Sequence, residues 1–449
     1  MSPFNVPRLP ALAASVRYFG KWLILGAGVG LLAGSASALF LVSLEWATAT
    51  RLATPGLLAL LPIAGFIVGL VYFRFAGAAS RGSALVIEQA SAPHAPTSSA
   101  SRDNRAPLPL RMAPLVLFGT IMSHLFGGSA GREGTAVQMG ASLADGLHRA
   151  LKLNSADRRL MLLAGISGGF GSVFGTPIAG FVFALEVQSI GRVGYEGAFS
   201  CLVAALVGDL VTRAWGVQHS HYPLLPRLEI EPILLLKVMI AGLIFGLVSA
   251  LFVELTHLVK ASARRLKWSP LRPFAGGLAI IALTLLVGTQ DYLGLSLPLI
   301  TQSLAPSNGV EVAPFAFLLK LVFTAVTLGS GFMGGEVTPL FVIGSTLGYS
   351  VGRLLGVEPT LMAALGFVAV FAASSNTPLA CLLMGVELFG GGGVLYLGVA
   401  CVVAYLASGH RSIYGTQQIG TPKAPTPDLH TGESVEQHQQ RRSVGSPPR

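Results

Sequence analysis

The chain of 449 residues is 52% hydrophobic and only 11% charged, with 55 glycines and 27 prolines, whereas a soluble domain carries about 25% charged residues. That balance excludes the aqueous cytoplasm as the solvent for most of the chain. Lys and Arg outnumber Asp and Glu 30 to 20, a net charge of +10. The basic residues sit in short connections and at the ends, as in membrane-protein loops, and not along one face as a nucleic-acid footprint requires.

A leader at 1–20 carries Arg8 and Arg17 and precedes Lys21. The first apolar run, Trp22 to Thr48, exceeds the roughly 7–15 residues of a signal h-region, and no small-residue cleavage pattern follows, so it reads as a retained helix. A second segment at 52–75 contains Pro55 and Pro62. Residues 91–110, rich in Pro, Ala and Ser, read as a polar excursion outside the lipid. From Met112 to Leu206 the apolar segments are short and broken by glycines, among them Gly127, Gly128, Gly131, Gly134, Gly140, Gly165 and Gly175. Broken helices are tolerated at membrane depth only where protein or a water-lined cavity satisfies the loosened backbone, so this stretch is expected to build an internal site. A helix pair at 230–258 and 274–287 brackets a basic connection from Lys260 to Arg272. The polar stretch 301–311 precedes a second glycine-broken region at 315–407. The polar tail beyond Gly420 is too short for a core of its own and its composition reads as disorder. Cys201, Cys381 and Cys401 lie in apolar segments without paired spacing, which predicts buried thiols and no metal site.

An internal repeat organises these segments. Thr176-Pro177-Ile178-Ala179 with Glu186 recurs as Thr377-Pro378-Leu379-Ala380 with Glu387, 201 residues on, and Gly131 to Thr135 matches Gly334 to Thr338 loosely at 203. The expected organisation is a leader at 1–20, a first transmembrane half at 21–220, a second at 221–415, and a disordered tail at 416–449. Transporters place substrate where such halves meet, at the N-termini of interrupted helices. The repeat alone leaves open whether the halves are inverted or parallel.

The segment Gly127–Gly140, GGSAGREGTAVQMG, places small residues ahead of a helix start whose unpaired N–H groups and dipole attract an anion. Glu133 stands at that start. Its carboxylate can take the anion's place and release it on protonation; the plainer reading is a cap or a pair with Arg132. The corresponding Gly329–Gly344 segment places Glu336 and Thr338 at a second helix start, where Thr338 suits either orienting a carboxylate or capping. Glu186 and Glu387 fit proton relay and structural roles equally. Tyr414 offers either a phenolic donor to a dehydrated anion or an interfacial anchor. His124 reads as a hydrogen-bonded packing residue and His410 as a boundary residue.

With these motifs the chain resembles the CLC family of chloride channels and anion/proton antiporters over about 20–415. The resemblance implies an all-α polytopic membrane fold with an inverted repeat of interrupted, tilted helices, a homodimer with one pathway per subunit, and a transporter, not an enzyme. It identifies Gly131-Arg132-Glu133-Gly134 with the family's gating-glutamate motif, Gly82-Ser83-Ala84-Leu85 with the first anion-coordinating loop, and Tyr414 with the inner hydroxyl ligand. Three departures from ordinary chloride members stand out: Thr135 after the gating motif, Glu336 in Gly335-Glu336-Val337-Thr338-Pro339, and Val187 where an internal proton glutamate would fall. The first two are similar to the bacterial fluoride/proton antiporter branch, although Ser83 suits chloride too.

The implied function is proton-coupled fluoride export across a bacterial inner membrane, with a chloride channel or chloride/proton antiporter as the alternative. Glu133 and Glu336 are the implied gating and proton-transfer residues. Ser83, Gly131, Arg132, Gly134, Thr135, Gly335, Val337, Thr338 and Tyr414 are the implied anion-binding residues. The partners are fluoride or chloride, protons and the bilayer; no cofactor, metal or nucleic acid is expected.

Overall fold

The computed structural model describes residues 9–91, 107–306, 312–424 and 431–443. Most of the polar excursion read at 91–110, and parts of the leader, of the 301–311 stretch and of the tail, lie outside the described residues.

Two octets of helices follow one another. The first comprises α1 (Leu9–Ala53), α2 (Leu61–Phe75), α3 (Gly82–Ala90), α4 (Met112–Leu125), α5 (Glu133–Ala150), α6 (Ser155–Phe174), α7 (Pro177–Glu186) and α8 (Ala198–Ala214). The second comprises α9 (Pro232–Ala263), α10 (Leu271–Val287), α11 (Leu297–Leu304), α12 (Ala316–Gly329), α13 (Val337–Leu355), α14 (Pro359–Ser375), α15 (Pro378–Phe389) and α16 (Val394–Ala407). A short α17 (Val435–Ser443) closes the described chain. Among the described residues four spans, in α1, α2 with its preceding turn, α8 with its preceding turn, and α9, are long and apolar enough to cross a membrane. The shorter apolar helices require each other, because a half-length helix in lipid leaves its end groups unsatisfied.

Local sequence sets the breaks. α6 ends on Gly175 at φ 70° and α14 on Asn376 at φ 59°, left-handed caps that stop a helix. Pro177 and Pro378 then open α7 and α15, where a missing N–H costs nothing. Close crossings also repeat. Gly140 of α5 meets Gly165 of α6 backbone to backbone, and Gly344 of α13 meets Gly366 of α14 in the same way. Without a hydrophobic drive between helices in lipid, such small-residue approaches and their van der Waals packing hold the bundle.

The halves meet across a local two-fold. Gly131 and Gly335 form an antiparallel bridge, with N–H···O distances of 2.6 and 2.9 Å, so α5 and α13 start from one point and run apart. Glu186 accepts hydrogen bonds from Leu379 N and Ala380 N at 3.1 and 2.9 Å. Glu387 accepts the mirror pair from Ile178 N and Ala179 N at 2.9 and 2.8 Å. Each half's glutamate caps the other half's Thr-Pro helix, and the repeat is inverted.

The described parts of the tail, 416–424 and 431–443, differ from the expected disorder. Ser189–Ile190 (β1) pairs in parallel with Gln418–Ile419 (β2), and Ile190, Ile419 and Val435 share a small core against Tyr405. Buried Gln417 donates to Val187 O at 2.9 Å and Ser375 O at 3.0 Å. Polar composition concealed this because two apolar side chains and one amide do the anchoring.

Candidate functional site

The site is built on the Gly131–Gly335 bridge. Backbones this close leave no room for side chains: a Cβ on Gly335 would lie 2.5 Å from Glu133 Oε2 and 2.8 Å from Gly134 N. The bridge carries Glu133, at the first position of α5, over to the start of α13. There Val337 N donates to Oε2 at 3.1 Å, Thr338 N donates to Oε1 at 2.9 Å, and the Thr338 hydroxyl also donates to Oε1. Arg132 N adds a bond to Oε1 at 3.2 Å. Glu133 is 1% exposed. A helix N-terminus presents orphan N–H groups and the positive end of the dipole, so the carboxylate sits where a free anion would bind.

Two cavities flank this seat. One is lined by Ser83, Glu133, Gly134, Phe170, Phe183 and Tyr414 among others. The second lies beyond Thr338 and is lined by Arg132, Phe174, Tyr222, Phe341 and Phe367 among others. Glu133 and Thr338, one from each lining, make the contact that separates them. In the first cavity, Gln138 Nε2 donates to Ser83 Oγ at 3.2 Å, which leaves the serine O–H free to donate to an anion. Tyr414 is held beside it by a chain of polar contacts: its N–H donates to Ser412 Oγ at 3.0 Å, and Thr416 Oγ1 donates to Ala84 O at 2.8 Å. Val187, where the resemblance puts an absent glutamate, lines this cavity as well.

The remaining sequence-selected residues distribute differently. The N–H groups of Gly131 and Gly335 bond each other's carbonyls, so both glycines are scaffold and neither N–H is available to an anion. Thr135 also departs from expectation: its hydroxyl pairs with Thr120 Oγ1 at 2.7 Å inside the helix packing. The Arg132 side chain turns into the second cavity and lies over the Phe174 ring, 5.8 Å from its centroid. Glu336 is half-buried at the backbone cap position of α13 and makes no side-chain cap bond. It is absent from both cavity linings.

Several residues went unread in the sequence. Gln138, which orients Ser83, gives no motif. Lys320 of α12 is fully buried, and its ammonium donates to Gly294 O, Ser296 Oγ, Ser129 Oγ and Tyr292 O at 2.7, 2.9, 3.0 and 3.3 Å. A lone lysine in the apolar run AFLLKLVFTAV is itself the available signal, since a charge inside a membrane segment is costly. His124, by contrast, reads from the sequence as a hydrogen-bonded packing residue and is one: it donates from Nε2 to Gly131 O at 3.3 Å, which braces the bridge from behind.

A helical membrane protein with two inverted halves and a carboxylate lodged on a helix start between two cavities has the anatomy of a gated ion pathway. The model of the voltage gated chloride channel family matches residues 64–409, and the chain belongs to this CLC family of multi-pass membrane transport proteins. It is 47% identical over 434 residues to the "Chloride/fluoride channel protein" of Pseudomonas syringae pv. tomato, covering 95% of this chain and 92% of that one. It is 26% identical over 395 residues to the H(+)/Cl(-) exchange transporter ClcA of Vibrio parahaemolyticus, covering 82% and 81%. Among solved structures, a CLC-type fluoride/proton antiporter superposes with a TM-score of 0.82 at 34% identity, over 89% of this chain and 98% of that one.

Proposed function

We propose that this protein exports fluoride across a bacterial inner membrane in exchange for protons, as a homodimer with one pathway per subunit. Residues 21–220 and 221–415 supply the two halves of each pathway. The observation that carries the reading is the Glu133 carboxylate seated on Val337 N, Thr338 N and the Thr338 hydroxyl. Fluoride is small and strongly hydrated, so it needs several strong donors to replace its water. Ser83 and Tyr414 receive it in the first cavity. The donors at the start of α13 take it when Glu133 is protonated and leaves.

An ionised Glu133 competes with fluoride for the same donors, and a protonated one does not, which ties anion movement to proton movement. Glu336, half-buried at the same helix start, is the proton's second station, where Val187 cannot serve. The likeness at 34% identity to a fluoride/proton antiporter of known structure supports fluoride, and Glu336-Val337-Thr338 in the third element agrees with it.

Proteoliposomes loaded with fluoride or chloride test this directly, with anion efflux and proton uptake followed together. Fluoride efflux accompanied by proton uptake, with chloride efflux far slower, is expected. Equal chloride flux overturns the fluoride assignment, and fluoride flux without protons makes the protein a channel. Glu336→Gln is expected to lose proton uptake; unchanged coupling removes Glu336 from the mechanism.

A further inference from the structure

Behind the bridge, at the Arg51 end of α1, lies a cluster that the pathway does not use. Arg51 is 5% exposed, and its Nε and Nη1 have no hydrogen-bond partner. His124, 1% exposed, uses Nε2 on Gly131 O, while its Nδ1 is unpartnered. Both groups point toward Gly294. At the position a Cβ would take on Gly294, the nearest atoms are Arg51 Nη2 at 3.4 Å and His124 Nδ1 at 3.7 Å. The Arg51 stem also borders Gly127, whose Cβ position lies 3.7 Å from Cδ. Both glycines have positive φ, 60° and 96°, and the absence of side chains there keeps the backbone clear of the guanidinium.

The charge balance points to the occupant. Lys320 sits directly behind Gly294, bonded to its carbonyl, and every atom it bonds is a neutral oxygen. Neither Arg51 nor Lys320 is in an ion pair among the described residues. Two cations are thus buried together with no carboxylate. Burying an unpaired charge is costly, and buried donors are as a rule satisfied.

We propose that Arg51 and His124, over the backbone of Gly127 and Gly294, form a second binding site for a small monovalent anion, separate from the Glu133 seat. Arg51 donates to the ion through Nε and Nη2, the nitrogens that share one edge of the guanidinium, Nη2 being the one nearest Gly294. His124, with its proton on Nε2, accepts at Nδ1 from a water of the ion's hydration shell. The near-complete burial of Arg51 favours a halide over a lipid phosphate, and the bound ion offsets the charge of Arg51 and Lys320.

Diffraction from crystals of the wild-type protein grown in bromide tests the proposal. An anomalous peak within hydrogen-bond distance of the Arg51 guanidinium is expected. A lipid phosphate on Arg51, a water alone, or bromide confined to the Glu133 and Tyr414 region overturns it. Thermal unfolding in detergent, titrated with chloride at constant ionic strength, gives a second readout. Arg51→Gln raises the chloride concentration for half-maximal stabilisation by about tenfold, the weight of one charge-assisted hydrogen bond, and Arg51→Lys restores much of it. Identical titrations for wild type and Arg51→Gln contradict the site even where bromide binds elsewhere.

Discussion

Glutamates cross between the two halves at two places, and the crossings differ in symmetry. Glu186 and Glu387 reach over in both directions, each capping the other half's helix with two bonds. At the bridge, Glu133 crosses to α13, whereas among the described residues Glu336 makes no corresponding bond to α5. A reciprocal pair satisfies four backbone donors and leaves no reason to move. In the proposed mechanism the one-sided crossing leaves one carboxylate on an anion's donors and the other with protons to exchange. On the proposed mechanism the same repeat yields a latch where symmetry is kept and a gate where it is broken.

The largest expected effect that sharpens this contrast falls on the latch. Glu186→Ala orphans the N–H groups of Leu379 and Ala380, the second of them buried. It is expected to destabilise the folded protein by about 2–4 kcal/mol, from penalties of about 1–3 kcal/mol per orphaned group, seen as a lower denaturation midpoint. The proton-to-fluoride ratio of the surviving protein should stay at the wild-type value; a lost ratio would place Glu186 in the proton path and erase the distinction. Thr338→Val comes next, removing the hydroxyl that donates to Glu133. A bond to a charged group is worth about 1.5–3 kcal/mol, so coupled fluoride flux should fall by about tenfold or more, with Thr338→Ser near wild type and thermal stability little changed. The smallest effect belongs to Tyr414→Phe. Loss of a neutral donor worth about 0.5–1.5 kcal/mol should raise the fluoride KM several-fold in flux assays while the coupling ratio holds.

Much of this arrangement was legible in the sequence, because its key pieces are contiguous. Gly-Arg-Glu-Gly and the two Thr-Pro runs each fit within a turn of helix, and glycine placement announced broken helices. What the sequence hid was pairing across the two-fold. Glu186 finds its partners 193 and 194 residues away, a distance that no local pattern encodes, so relay and structure weighed equally for it. Gly131 and Gly335 looked like open anion ligands, yet each closes the other's N–H. The Thr135 hydroxyl faces α4, a direction set by helix packing and not by the motif. Lys320 appears as one cation in an apolar run and Arg51 as one in the break between two such runs, and only the fold brings them together around Gly294.

The central claim is that one carboxylate both occupies the anion's seat and carries the proton. Its most direct test is simultaneous fluoride and proton flux from vesicles holding wild type or Glu133→Gln. The substituted amide cannot alternate between a charged competitor and a neutral acid. The account therefore predicts that fluoride-driven proton uptake disappears in this variant while the protein stays folded. Proton uptake at the wild-type ratio to fluoride efflux in Glu133→Gln would contradict it.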